Sequence, residues 1–330
     1  MRPFAISIDL VDKPSFRKRH SGNIPLIGGI AMFFGVLISI LILPYDLNYF
    51  NYFILVSIIL VVIGVLDDHR NLSVKSRFLF QFLVAVIIIS GGGLSIESFG
   101  DLFGNGEIFL HGWAYFISLI AIIAAINAVN MADGIHGLAA GNSLITFAAI
   151  LFLSIGNIPQ IDLMITLLFC SVLPVFMIHN LCLGISINKR VFMGDAGSMF
   201  LGMGIVWLLL DSSQGEAMIF KPVISLWVFS APLMDMVSAF IRRLLVGKSP
   251  FKPDLFHLHH LLLHMGFKNT NALILILLFS FIMALIGILG SLYEVAEVIM
   301  FSGFLVVFLA YIVFISWAKS KTKNNTEVID

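Results

Sequence analysis

Apolar runs alternate with short polar segments along almost the whole chain. The runs fall at 24–43, 50–66, 77–91, 112–131, 137–155, 160–179, 196–211, 218–240, 270–290 and 295–317, bounded mostly by Gly, Pro, Asn, Asp or basic residues. A helix needs roughly 20 mostly apolar residues to cross a bilayer, so the pattern predicts about ten transmembrane helices with short loops. Backbone N–H and C=O groups in lipid must be satisfied internally, which for runs of this kind means helices. The expected fold is therefore an all-α, polytopic integral membrane protein. Residues 1–318 form one transmembrane domain, and 319–330 a polar cytoplasmic tail expected to be disordered.

Composition excludes a soluble globular domain. Hydrophobic residues make up 59% and charged residues 12% of the chain, with a mean hydropathy of +1.04, whereas soluble domains carry roughly 25% charge. The net charge of +0 says nothing about partners, and what matters is where the charges lie; no nucleic-acid partner is expected. Cys170 and Cys182 lie in or near an apolar run, so a secreted disulfide framework is not indicated. No cleavable signal is expected, because Met1 to Asp12 carries no long apolar core.

Charge placement sets an orientation. With the loops numbered alternately from an inside amino terminus, every Lys and Arg except Lys221 lands on one side. Asp46, Glu97, Asp101, Glu107 and Glu216 populate the other. This positive-inside pattern predicts that both termini are cytoplasmic.

The segments with candidate chemistry share that side. Asn127, Asn130 and Asp133 recur every three residues near a helix end, forming one polar stripe, and Gly134 and Gly137 then break the helix. Asp67 and Asp68 end the second span as adjacent carboxylates that repel unless a metal, a basic group or a proton-transfer task offsets the repulsion. Lys75 and Arg77 follow at once. Gly194-Asp195-Ala196-Gly197-Ser198 at a helix start offers free N–H groups for anionic oxygen and one carboxylate for a metal. The eighth run holds Pro232, expected to kink its helix, and Asp235, a functional candidate because it is ionisable within a span. The longest polar loop, Arg242 to Lys268, carries Arg242, Arg243, Lys248 and Lys252 with His257, His259, His260 and His264. Carboxylate and amide oxygens suit Mg²⁺, or alternatively Mn²⁺, rather than zinc. Basic and histidine side chains suit charge on a transferring phosphoryl group. The inventory points to a lipid phosphate met by a soluble phosphate donor. No GxxxxGK[ST] element supports a P-loop ATPase.

The motifs DKPSFRKRH…IPLIGG, DDHRNLSVKSR, NAVNMADGIHGLAAG, FMGDAGS, PLMDM and SPFKPDLFHLHHLLLHMG, in this order from about Leu10 to Phe267, resemble those of the polyprenyl-phosphate N-acetylhexosamine-1-phosphate transferases. The His-x-His-His element favours the branch of undecaprenyl-phosphate N-acetylglucosaminyl 1-phosphate transferases, the WecA type. The resemblance implies transfer of a sugar 1-phosphate from a UDP-N-acetyl sugar to undecaprenyl phosphate, with release of UMP. It also implies Mg²⁺ dependence and a cytoplasmic active site in a bacterial inner membrane. Carried over by position, Asp67 and Asp68 match the acid pair, one of which engages or deprotonates the lipid phosphate. Asp195 matches the main metal ligand, with Asn130 and Asp133 lining the metal and nucleotide site and Asp133 also counted among the catalytic acids. Asn127, Lys75, Arg242 and Arg243 are the expected substrate contacts, Lys75 to a phosphate. His257, His259 and His260, counted with the acids among the catalytic residues, match together with Arg242 the loop that holds the sugar and diphosphate. A homodimer is also admitted.

Three departures stand out. His136 occupies a position where many members carry a second aspartate, Leu255 replaces an arginine, and with the Asp-Lys-Pro region as the first segment ten spans rather than eleven are expected. UDP-GlcNAc is the leading donor, with UDP-linked QuiNAc or FucNAc as rivals. A membrane transporter is the reading from another class. It is disfavoured because the ionisable residues cluster at span ends and no inverted repeat is evident.

Overall fold

A computed structural model of the chain describes residues 2–12, 22–43, 50–155, 160–215, 218–247, 249 and 256–326, the side chains of Phe4, 160–162 and 322–326 excepted. The basic cluster Arg17 to His20, together with Lys13, Asp46, Glu216, Lys248, Lys252 and Leu255, lies outside the described residues.

All ten predicted apolar segments contain helix. A short amino-terminal helix, α1 (Arg2–Ser7), leads into a two-residue antiparallel pair, β1 (Val11–Asp12) with β2 (Ile24–Pro25), Val11 opposite Pro25. Then follow α2 (Gly28–Ile42), α3 (Asn51–Arg70), α4 (Val74–Ser90), α5 (Ala114–Ala132), α6 (Leu138–Ser154), α7 (Gln160–Leu181) and α8 (Gly194–Ser213). The chain continues through α9 (Pro222–Val228), α10 (Ser230–Leu245), α11 (Leu258–His264), α12 (Asn269–Leu292) and α13 (Glu297–Thr326). Among the described residues six helices are long and apolar enough to cross a membrane, and the bent pair α9 and α10 is a seventh candidate. α2 and α6 are shorter apolar helices, of 15 and 17 residues.

Two departures from the expected helices have local causes. The eighth run is not one kinked helix but two, meeting at 87°. The break falls at Phe229, upstream of Pro232. A proline ring clashes with the carbonyl four residues earlier, here Val228, the last residue of α9, whereas in the first turn of a new helix its missing N–H costs nothing. α13 runs on to Thr326, so the first part of the tail is helical rather than disordered.

α8 is the axis of the bundle. From Gly194 to Ser213 every residue is buried except Asp195 and Asp211. A helix apolar all round is one surrounded by others, and α3 and α5 pack along it. Close approach depends on missing side chains. A Cβ on Gly64 of α3 would run into the backbone of Ala196, and one on Gly29 of α2 into the backbone of Gly197. Gly64→Ala is therefore expected to push α3 from the first turn of α8, at a cost of about 1–3 kcal/mol. A thermal midpoint in detergent equal to that of the parent protein would contradict this packing.

At one end of the bundle α3 and α5 finish where α4 and α8 begin. At the opposite end the 92–110 segment is held by Gln214, whose side-chain oxygen accepts the N–H groups of Glu97 (2.9 Å) and Ser98 (3.1 Å). Lys221 pairs there with the buried Glu297 at 3.4 Å.

Candidate active site

Three helix ends build the acidic half of the site. The Ile24 to Gly29 segment holds the entrance to α8. Phe192 donates its N–H to the Pro25 carbonyl (2.9 Å), and the Gly28 and Gly29 amides donate to the carbonyls of Phe192 (2.8 Å) and Met193 (3.0 Å). α8 then starts with Gly194 at φ +72, a left-handed conformation that glycine adopts without strain. A Cβ there would also collide with the Asp68 carboxylate. Asp68 accepts the amides of Asp195 (2.9 Å) and Ala196 (3.4 Å), so it caps α8 from the end of α3. The first N–H groups of a helix have no partner within it, and a carboxylate meets both that need and the positive end of the helix dipole.

Adjacent residues on a helix point about 100° apart, and Asp67 meets different partners. It is buried, accepts the Leu72 amide at 2.7 Å and pairs with the half-exposed Arg77 at 3.1 Å. Its Oδ2 makes that ion pair without hydrogen-bond geometry. Asp67, Asp68 and Asp195 are mutual electrostatic neighbours. Three carboxylates with one guanidinium favour an incoming cation.

Asn130 on α5 donates its amide to Asp195 (2.7 Å) and to the Ser198 hydroxyl (2.9 Å), fixing the Asp195 carboxylate. One turn earlier Asn127 donates to Gln81 of α4 (2.7 Å) and to the Ile123 carbonyl (2.8 Å). Asp133 caps the end of α5 and is exposed. Lys75 is exposed in the first turn of α4.

The histidine half joins through Gly134. His259 is buried, and a Cβ on Gly134 would strike its Nε2, so the Asp133-Gly134 turn and the histidine motif meet directly. Burial, and then the neighbouring His260, push the His259 imidazole down to about 3, so it is neutral at physiological pH. Its ring lies parallel to that of His257 with centroids 6.0 Å apart, and 4.1 Å from that of His260. His257 is held by Asp235 at 2.9 Å. Arg242 and Lys319 both lie over the Phe256 ring, at 5.9 and 4.6 Å. Arg243 donates to the Ser249 carbonyl at 2.9 Å. His136 packs against Phe192 in a tilted ring contact, centroids 4.8 Å apart and planes at 31°, at the threshold of α8.

Residues 49–213 match the family described as Glycosyl transferase family 4. The chain is 41% identical over 313 residues to a Yersinia pestis protein described as undecaprenyl-phosphate alpha-N-acetylglucosaminyl 1-phosphate transferase, covering 94% of this chain and 85% of that one. Proteins with the same description from Escherichia coli (strain K12) and Haemophilus influenzae are 40% and 42% identical, over 94% and 96% of this chain and 84% and 90% of theirs. The chain belongs to glycosyl transferase family 4. Its region of match contains the whole acidic half, whereas the histidine half lies beyond it in sequence and is reached by the near full-length similarity to these relatives.

In this member of the family, the predicted residues sort into contacts of different kinds. Asp195 and Asn130 are together, but it is the Asn130 amide nitrogen that faces Asp195. Among the described residues no three His, Cys, Asp or Glu side chains form a ready-made metal cage. The donor set nevertheless suits a hard cation: Asp67 and Asp195 are neighbouring carboxylates, and Asp67 Oδ2 is buried without a hydrogen bond. Mg²⁺ usually takes one or two carboxylates and completes its shell with water and substrate phosphate, so a full protein cage is not required. Arg77, Gln81, Ser198 and Tyr311 were not singled out as site residues from the sequence. Gln81 carried a signal, as an amide inside an apolar run, and Arg77 stood beside Lys75; Tyr311 carried none.

Proposed function

We propose that this chain transfers N-acetylglucosamine 1-phosphate from UDP-GlcNAc to undecaprenyl phosphate, giving undecaprenyl-diphosphate-GlcNAc and UMP. In this reading it acts at the cytoplasmic face of a bacterial inner membrane, at the start of lipid-linked cell-envelope polysaccharide synthesis. The observation that carries the proposal is the set of carboxylates gathered at the start of α8, in a chain 40–42% identical to transferases of that description over nearly its whole length.

The net reaction forms a bond between a lipid phosphate oxygen and the phosphorus bearing the sugar, and breaks the bond from that phosphorus to UMP. Asp67 is the acid we assign to the lipid phosphate. Its partner Arg77 is half-exposed and suited to exchange a carboxylate for an incoming phosphate. Lys75 is a second phosphate contact. Asp68 is already engaged by the α8 amides and serves to place Asp195. Asp195 and Asp67 are the residues that would hold Mg²⁺, or Mn²⁺, alongside the diphosphate, with Asp133 close to the nucleotide. Bound there, the ion would neutralise phosphate charge as it develops. Arg242, Arg243, His257, His259 and His260 would hold the sugar and diphosphate. Asn127 is better suited to bracing Gln81 than to touching a substrate.

The test is UMP release from purified protein with undecaprenyl phosphate, Mg²⁺ and UDP-GlcNAc, UDP-QuiNAc or UDP-FucNAc in parallel. Release is expected with UDP-GlcNAc. Release with only another sugar would move the donor assignment, with His136 the first residue to examine. No release with any donor from folded protein would overturn the proposal.

A further inference from the structure

One mostly enclosed carboxylate outside the acidic cluster, 13% exposed, ties three elements together. Asp235 lies in α10 and accepts three hydrogen bonds. They come from His257 Nδ1 at 2.9 Å, the Leu258 amide at the start of α11 at 2.9 Å, and the Tyr311 hydroxyl of α13 at 2.8 Å. His257 is bonded through Oδ2, whereas Leu258 and Tyr311 share Oδ1. An ionised carboxylate has only acceptor sites, so the ring nitrogen facing Oδ2 must carry hydrogen. The hydrogen bond at one ring nitrogen decides the protonation of the other. Tyr311 and Leu258 in turn hold the carboxylate in one orientation, and Tyr311 is itself buried in the core.

We propose that Asp235, braced by Tyr311, is a positioning residue for the transferase reaction: it holds His257 with hydrogen on Nδ1 and leaves Nε2 as the nitrogen available to the substrate. The inference rests on the proposed function for its catalytic consequence, but not for the protonation pattern itself. It makes α13 part of the catalytic apparatus, although this helix lies outside the region of family match.

Asp235→Asn is the informative substitution. With its amide oxygen kept toward Leu258 and Tyr311, its NH₂ group faces Nδ1. His257 must then accept at Nδ1 and carry its hydrogen on Nε2. Turnover is expected to fall at least about 10- to 100-fold, the scale seen when a residue that orients a metal-ligating histidine is lost, with KM for the UDP-sugar within about threefold. Tyr311→Phe, which removes one oxygen and keeps the ring, should lower turnover severalfold in the same direction. On a His257→Gln background, Asp235→Asn should add less than about a twofold further loss, because residues that act through one another are not additive. Losses that multiply, or an Asp235→Asn enzyme within about twofold of the parent, would overturn the assignment.

A second measurement stands apart from activity. In ¹⁵N-histidine-labelled protein at pH 8.5, the signals absent from His257→Gln should report Nδ1–H in the parent and Nε2–H in Asp235→Asn. The same protonation in both would overturn the proposal. Absence of UMP release from the parent protein would count against the transferase reading and leave this measurement in force.

Discussion

Asp195→Asn is expected to reduce UMP release by at least about 10²–10³-fold, the scale associated with losing one preorganised electrostatic contact to a transition state. The substitution is almost isosteric, and the structure leaves it well accommodated. Asn130 can still donate to an amide oxygen at position 195 and to Ser198. The backbone amides of residues 195 and 196 keep Asp68 as their acceptor. What disappears is one negative charge beside Asp67, at the only partly exposed position in the first turn of an otherwise buried helix end. The thermal midpoint should therefore stay near that of the parent protein while turnover collapses, and raising Mg²⁺ should not restore it. Turnover close to normal would remove Asp195 from the metal assignment. A large drop in midpoint would mean that the charge serves the fold as well.

Much of the fold was legible because membrane physics leaves few options for an apolar run. All ten runs contain helix, although among the described residues six, or seven with the bent pair, rather than ten are long and apolar enough to cross a membrane; the glycine breaks after Asp133 and before Asp195 fell at helix ends as expected. Which helix is central was not legible. α8 has a mean hydropathy of 1.3, below the 2.0 of the spans that contain α3 and α5, and its place at the axis follows instead from Gly29, Gly64 and Gly197, whose missing side chains let backbones touch. The position of the break near Pro232 required knowing that α10 starts afresh, which puts the proline in a first turn rather than mid-helix.

The candidate site divides in the same way. Residue type and spacing brought out Asp67, Asp68, Asn130, Asp195 and the histidines, since carboxylates and imidazoles at membrane helix ends are costly without a purpose. Their partners were hidden because the pairing depends on how the helices pack. Arg77 meets Asp67 across the turn into α4, and Tyr311 meets Asp235 from 76 positions away. Asn127, predicted to touch a substrate, shares the stripe of Asn130 but lies one turn deeper, where Gln81 takes its amide.

The adjacent acids should separate cleanly on substitution. Asp67→Asn removes a charge that touches only Leu72, Arg77 and its acidic neighbours. Its loss should appear in turnover, by about 10²–10⁴-fold if Asp67 takes the lipid phosphate proton, with little change in midpoint because the half-exposed Arg77 retains access to water. Asp68→Ala leaves the amides of Asp195 and Ala196 without their acceptor at the crowded start of α8. Loss of a helix cap costs about 0.5–2 kcal/mol, so both midpoint and turnover should fall. If Asp68 acts by placing Asp195, adding Asp68→Ala to Asp195→Asn should lower turnover little further, while the midpoint still drops. Multiplicative losses in turnover would instead give Asp68 its own contact with substrate or metal, and an unchanged midpoint in Asp68→Ala would show that the cap contributes nothing to stability.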